Sequence, residues 1–262
     1  MEPKYDRIGD DYNHTRKADP YLLDRFHQLL AYQSGQTILD IGCGTGNYTI
    51  GLHQKGVQLI GVDPSEKMLT EARAKHSHVH WVQAAVESLP LDDQSVDGIV
   101  ASLTMHHWQD PASGFRELYR IAKAGSRMLL FTSDPQQMAG YWLNAYFPKM
   151  LEVSMQQMPR RESIIAHLSE AGFEMLAEEK YFVRPDLQDL FLYAGKERPQ
   201  MYLDPGVRKG ISSFSDLAHQ LEVEIGLAQL QADIQSGHID TVIKSYENET
   251  GDYLFLVAQK PA

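Results

Sequence analysis

A single cysteine, Cys43, in 262 residues leaves no partner for a disulfide within the chain. No apolar run approaches the roughly 18 residues that would suggest a membrane span, so membrane insertion is not expected. Basic charge is scarce as well. Lys and Arg number 24 against 35 Asp and Glu, for a net charge of −11. They form no stripe, which disfavours unassisted binding to a phosphate backbone and makes nucleic acid a poor substrate. The sequence has no internal repeat and no low-complexity tract. Its opening stretch, MEPKYDRIGDDYNHTRKADP, lacks the apolar core of a secretory signal, so the expected location is the cytoplasm. After these exclusions there remains a 43% hydrophobic chain, enough for one large α/β domain or one domain carrying an insertion.

The stretch Thr37 to Tyr48, TILDIGCGTGNY, organises the rest. Ile38, Leu39 and Ile41 have the composition of a buried strand in a parallel sheet. Gly42, Gly44 and Gly46 then occupy alternate positions, where a residue without a Cβ permits a tight turn and lets backbone lie against a ligand. A short helix over Tyr48 to His53 would point its first N–H groups back at that turn. Strand, glycine turn and helix together predict a nucleotide-type pocket.

Around this stretch the chain alternates. Leu22, Leu23, Phe26, Leu29 and Leu30 recur at three and four residues, predicting a helix over Pro20–Tyr32. A second strand, Val57–Asp63, leads into a helix that Ser65 can cap and Glu66 favours. Further strands are expected near Val79–Gln83, Val96–Leu103 and Arg127–Thr132, with a helix over Ala112–Ala122 closed by Gly125. Strands alternating with helices imply right-handed crossovers and a doubly wound, mostly parallel α/β sheet. After Ser133 aromatics and methionines crowd together. A helix over Glu162–Ala171 ending at Gly172, a strand over Phe173–Val183, helical pieces at Leu187–Leu192 and Leu217–Ile234, and a last strand at Tyr253–Gln259 complete seven strands. The aromatic stretches can roof a pocket or simply pack a core. His76, His78 and His80 would share one face of a strand, a spacing that can hold a metal. No carboxylate or Cys accompanies them, and no metal site is expected.

Two cofactor classes use a glycine turn after the first strand and an acid at the end of the second. The dinucleotide fingerprint requires G-x-G-x-x-G. Here the third glycine comes one residue early and Asn47 stands in its place, which argues against an NAD(P)-dependent oxidoreductase. Leu39-Asp40-Ile41-Gly42-Cys43-Gly44-Thr45-Gly46, Gly61-Val62-Asp63-Pro64-Ser65 with Met68-Leu69, Glu87-Ser88-Leu89-Pro90 and Ser95-Val96-Asp97 resemble, in order and spacing, the successive motifs of class I S-adenosylmethionine-dependent methyltransferases. The resemblance runs to about Ser133 and is closest to the branch containing quinone-biosynthesis and other small-molecule methyltransferases. It implies a Rossmann-like fold with a helical lid. The chain, 1–262, would be a single methyltransferase domain with an arm and helix over 1–30 and lid segments over 135–160 and 185–249.

The resemblance also implies a site. S-adenosylmethionine, leaving as S-adenosylhomocysteine, would lie with its methionine moiety against Gly42, Gly44 and Gly46 and near Asp40. Its ribose hydroxyls would meet Asp63, and its adenine would lie between Pro64 and Met68 with backbone at Ala85 and Val86 reading the edge. Family members often carry an acid where Ala85 stands. Glu87 or the backbone must then serve here. Tyr12 and Arg16 can close over the cofactor carboxylate, Arg in a two-pronged contact. Ser102 and Leu103, at the carboxyl end of the fourth strand, border cofactor and substrate. His106 and His107 are the candidate bases, since imidazole titrates near neutrality, and Tyr141 and Trp142 are candidate lining of an acceptor pocket. Cys43 reads as structural. The expected activity is methyl transfer to a small, partly apolar acceptor at O, N or C. The rival is a protein that binds the cofactor as a sensor or partner subunit without turnover.

Overall fold

The computed structural model describes residues 15–262. Seven strands, β1 (Thr37–Ile41), β2 (Gln58–Asp63), β3 (His80–Gln83), β4 (Val96–Ser102), β5 (Ala122–Thr132), β6 (Glu174–Tyr181) and β7 (Tyr253–Gln259), form one sheet in the order β3-β2-β1-β4-β5-β7-β6. The pairs among β1 to β5 are parallel, whereas β7 lies antiparallel between β5 and β6. The order reverses at β1, so the carboxyl ends of β1 and β4 flank the crevice where open α/β sheets bind ligands.

Alternation along each strand sorts side chains into two cores. On one face Ile38, Val100, Leu129 and Phe131 pack with Leu22 and Phe26 of α1 (Pro20–Leu30), Leu52 of α2 (Asn47–His53) and Leu69 of α3 (Glu66–Lys75). On the other Leu39, Ile99, Ala101 and Leu130 meet Phe115 and Leu118 of α4 (Pro111–Ile121) and Ile164 and Leu168 of a later helix, Arg161–Ala171. Helix starts follow the capping chemistry of the sequence: Asp19 Oδ1 accepts the Leu22 N–H at 3.0 Å and Ser65 Oγ the Met68 N–H at 3.2 Å.

Three expectations change. Gly125 does not end a helix: α4 stops at Ile121 and β5 already begins at Ala122, with Gly125 (φ +77°) inside a bulge where the pairing jumps from Val96↔Ala122 to Gly98↔Arg127. That conformation suits glycine, and the Gly125 N–H is met by the Lys260 carbonyl. Leu187–Leu192 is irregular chain with a bend at Asp189 rather than a helix. It is held by long-range bonds from Asp19 and Arg16 that a helix would not need. Of the three alternating histidines only His80 lies in a strand, because α3 extends to Lys75 and His76 closes it. The His76 ring instead lies 5.0 Å from that of His53 and 5.8 Å from that of His78.

The two aromatic insertions lie beside the carboxyl ends of the parallel strands. The first holds α5 (Pro135–Ala139), a 3₁₀ turn (Trp142–Ala145) and α6 (Pro148–Gln157), followed by α7, the Arg161–Ala171 helix. The second holds a 3₁₀ turn (Pro199–Leu203), α8 (Pro205–Lys209), one π turn (Ser213–Leu217), α9 (Gln220–Ser236) and α10 (Ile239–Ser245). They are bolted together. Tyr141 stacks on Tyr193 with ring centroids 3.8 Å apart, Glu222 accepts the first N–H groups of α6, and Tyr146 Oη donates to Asp233 at 2.8 Å. Their aromatics join the sheet core through Phe131, whose ring lies 4.8 Å from Phe255, 5.4 Å from Tyr253 and 6.1 Å from Phe191. Phe131→Ala should therefore cost about 3–5 kcal/mol in urea unfolding, with one transition retained. A loss below about 1 kcal/mol would show that sheet and insertions pack independently of this ring.

Candidate active site

Three glycines shape the turn after β1, each for a different reason. All have positive φ: +70° at Gly42, +55° at Gly44 and +76° at Gly46. A Cβ on Gly42 would lie 1.9 Å from Thr104 Oγ1, and one on Gly46 would lie 2.3 Å from the Trp81 ring. Those two glycines let the turn press against β4's exit and β3's indole. A Cβ on Gly44 would meet nothing within 4 Å. The middle glycine thus presents bare backbone to open space, as a turn built to lie against a ligand does.

Acids hold this turn from two sides. Asp63, buried at the tip of β2, accepts the Gly44 N–H through Oδ2 and the Ser65 N–H through Oδ1, each at 2.9 Å. Asp40, also buried, accepts from Thr49 Oγ1 at 2.6 Å. Burial raises its pKa to about 7, the Thr49 bond opposing and the nearby Asp63 charge adding to the rise. Desolvation, with Asp40 and Asp63 beside it, pushes the Cys43 thiol well up, which leaves it an unreactive small residue.

Asn47, the residue that breaks the dinucleotide pattern, has a definite task. Its Oδ1 accepts from Lys75 Nζ and its Nδ2 donates to the Arg16 carbonyl, both at 2.8 Å. Lys75 also reaches Thr45 Oγ1 at 2.8 Å and the Thr45 carbonyl at 3.0 Å. The turn, α3 and the segment before α1 are thereby tied together. Arg16 in turn pairs with the buried Asp189, Nε to Oδ1 at 2.5 Å and Nη2 to Oδ2 at 3.2 Å, while Tyr48 Oη donates to the same carboxylate at 3.1 Å. Tyr12, expected to act with Arg16, lies outside the described residues.

Two cavities open here. The first, of about 440 Å³, is walled by Arg16, Asp40, Gly42, Gly44 and Ser102 among the expected residues, and by Asn47, Tyr48 and Asp189 besides. Gly46 lies against Trp81 instead of on this wall. Of the expected adenine contacts, Pro64 and Ala85 are exposed, Met68 is buried, and Val86 packs in the core opposite Gly114. Glu87 Oε1 accepts the N–H groups of Gln109 and Asp110, at 2.8 and 3.1 Å, and so anchors the loop before α4.

The second cavity, of about 690 Å³, lies under the insertions and is lined by Arg16, Leu103, His106, Tyr141, Phe191 and Ile211, among others. Leu103 takes a left-handed conformation at φ +51°, a strain of order 1–3 kcal/mol for a non-glycine residue that concentrates at functional sites. Two candidates stand apart from it. Trp142 is buried with its indole N–H given to the Lys196 carbonyl at 3.0 Å, a core role. His107 is not on the wall, its ring centroid 3.9 Å from that of His106 with the two planes inclined by 48°. Asp189, Ser133 and Tyr253 were not singled out from sequence because no local motif marks them; contacts across the chain place them.

Sheet order, glycine turn and the acid at the tip of β2 define a nucleotide-cofactor enzyme of Rossmann-like build. Residues 39–130 match the family described as a methyltransferase domain. The chain is 30% identical over 173 residues to the ubiquinone/menaquinone biosynthesis C-methyltransferase of Rubrivivax gelatinosus, 57% of this chain and 67% of that protein. It is 30% identical over 196 residues to the demethylmenaquinone methyltransferase of Clavibacter sepedonicus, 64% of this chain and 80% of the relative. A solved Anabaena variabilis structure, assigned as a methyltransferase of an antibiotic biosynthesis pathway, superposes with a TM-score of 0.83 at 33% identity, covering 94% of this chain and 98% of that one. The chain belongs to the class I S-adenosylmethionine-dependent methyltransferases of the small-molecule branch. The open face of Gly44 beside the buried acids Asp40 and Asp63 suits a polar ligand. Among the described residues no helix is long and apolar enough to cross a membrane.

Asp40 sets a pH dependence. Its folded pKa, about 7, stands above the ordinary 3.8, so the folded state holds this proton more tightly. The stability it contributes is full below pH ~4 and is lost as pH rises through about 7. Urea unfolding should show wild type losing about 3–5 kcal/mol relative to Asp40→Asn between pH 4 and 8. Parallel curves for the two proteins would remove Asp40 as the titrating group.

Proposed function

We propose that the chain transfers a methyl group from S-adenosylmethionine to a small, partly apolar acceptor at O, N or C, in a single domain whose segments 135–160 and 185–249 act as the lid. The observation that carries this reading is one peptide step. Ser102 lines the cavity of the glycine turn and its neighbour Leu103 lines the cavity under the lid, with Arg16 on both walls. A cofactor on one side and an acceptor on the other would meet at the end of β4.

In this reading Asp40 and the Gly42–Gly46 backbone hold the methionine moiety, Asp63 the ribose, and the Arg16 guanidinium a carboxylate. The adenine would rest on Pro64 and Met68, with backbone at Ala85 and Val86 in place of a side-chain acid, since Glu87 is already committed to Gln109 and Asp110. The bound cofactor supplies an activated methyl group on a sulfonium. The chain has to place the acceptor atom in line, about 3–3.5 Å away, and exclude water. His106 can remove a proton from an acceptor that arrives as a phenol, acid or ammonium. His107 supports its ring, and Tyr141 lines the acceptor side.

Thermal unfolding with S-adenosylhomocysteine, with NAD and without ligand tests the cofactor. At a hundred times its dissociation constant a ligand adds about 2.7 kcal/mol, which should raise the midpoint by roughly 5–10 °C with S-adenosylhomocysteine alone. A rise only with NAD, or none, would overturn the assignment. Turnover on a panel of phenols, amines and carboxylic acids, read as S-adenosylhomocysteine formed, tests the base. His106→Gln should lower kcat about 10²–10⁴-fold while the thermal shift persists, and a change under threefold would take the base role from His106.

A further inference from the structure

Helix α3 grips the glycine turn at both of its ends. At the start, Ser65 and Gly44 give their N–H groups to the two oxygens of Asp63. At the last residue, Lys75 Nζ donates to the Thr45 carbonyl at 3.0 Å and to Thr45 Oγ1 and Asn47 Oδ1, each at 2.8 Å. A carbonyl, a hydroxyl and an amide oxygen thus converge on one ammonium, whose three N–H donors match such a set. Lys75 as a residue is exposed, yet crowding around its ammonium lowers the pKa to about 8, with Glu71 opposing. It keeps its charge at neutral pH, and the bonds are charge-assisted. The described residues that line the cavity of the glycine turn include Thr45 and Asn47 but not Lys75. Asn47 carries the constraint further. Its Nδ2 donates to the carbonyl of Arg16, which lines the same cavity.

We propose that Lys75 is a positioning residue for the amino-acid end of the cofactor: by holding Thr45 and Asn47, and Arg16 through Asn47, it keeps the cavity wall in the form that a homocysteine moiety fits. This rests on the S-adenosylmethionine reading of the cavity and deepens it. A turn with glycine at every second position has little stiffness of its own, so its shape comes from the bonds it makes. The Val62 carbonyl takes the N–H groups of Gly42 and Cys43, and Asp63 takes that of Gly44. The grip of β2 ends there. Beyond Gly44 the turn bonds to itself, Gly46 N–H to the Cys43 carbonyl, and it is Lys75 that ties Thr45 to a neighbouring element. Without that tie the turn has to be ordered when the ligand binds, which lowers affinity. The loss is confined to one end of the ligand, because ribose and adenine lie toward Asp63, whose own bonds persist.

The test is calorimetric titration with two probes that share adenine, ribose and sulfur: S-adenosylhomocysteine, and 5′-methylthioadenosine, which lacks the amino and carboxylate groups. Lys75→Met, a change at an exposed residue, should weaken S-adenosylhomocysteine about five- to tenfold, the worth of one hydrogen bond. The same variant should bind 5′-methylthioadenosine within about twofold of wild type, which a general loosening of the fold would not allow. Asn47→Ala should weaken S-adenosylhomocysteine as well. Because the two side chains act through one contact, the double variant should fall at least about threefold short of the product of the single effects. A charge effect of Lys75 on the ligand carboxylate would give the full product instead. S-adenosylhomocysteine bound within twofold of wild type by Lys75→Met, equal weakening of the two probes, or the full product in the double variant would each overturn the proposal. Where 5′-methylthioadenosine binds wild type too weakly to titrate, the double variant decides. Failure of S-adenosylhomocysteine to bind wild type would overturn the cofactor reading itself, so the two are separable.

Discussion

The carboxylate of Asp63 is the constraint on which the rest of the site depends. Its two oxygens hold the Gly44 N–H and the Ser65 N–H, and so couple the turn after β1 to the start of α3 across the tips of two neighbouring strands. The bonds are charge-assisted and buried, which makes them strong and makes their loss costly. Because the Gly42 and Cys43 N–H groups are also taken by the Val62 carbonyl, at 2.8 and 3.0 Å, the turn has no freedom to drift along β2. A backbone that has to lie against a ligand is thus fixed by its neighbour strand before any ligand arrives. Preorganisation of this kind spares the ordering cost at the moment of binding.

From that anchor the structure propagates sideways. A turn held against β2 leaves room for Thr104 only where Gly42 has no Cβ, so the exit of β4 is set by the entry of α2. The same exit carries Leu103 in its left-handed conformation, and this single backbone reversal turns consecutive residues toward different cavities. The strain sits where two ligands would meet. Its cost is offset by the packing of both neighbouring strands, as expected for a distortion retained for position rather than stability.

The half of the molecule built on local rules was legible in the sequence. Strand, glycine turn, acid-tipped strand and Ser-capped helix are short-range patterns, and β7 appears with the bounds its apolar run predicts, Tyr253–Gln259. The errors also have physical causes. Gly125 reads as a helix stop because glycine after a helix usually is one, yet pairing of Ala122 with Val96 of β4 extends β5 back past it and turns the glycine into part of a bulge. Leu187–Leu192 has leucines at helical spacing. The chain bends there because Arg16, 173 residues away from Asp189, and Asp19, 169 residues from Gln188, hold it otherwise. Contacts at such separation leave no periodicity to read. Trp142 and Tyr141 were indistinguishable as neighbouring aromatics, and only the route of the Trp142 indole N–H to Lys196 shows which of them belongs to the core.

These long contacts also join two functions. The segment from Thr15 to Asp19 is fastened to the 188–190 bend at Thr15, Arg16 and Asp19, and that bend leads directly into Phe191 and Leu192 on the acceptor wall. The same segment is fastened to the glycine turn through Asn47 and to α2 through Tyr48. One short stretch of chain therefore borders the cofactor side with its backbone and both sides with its arginine. The walls of the two cavities are thus joined through the Arg16–Asp189 ion pair as well as through the end of β4.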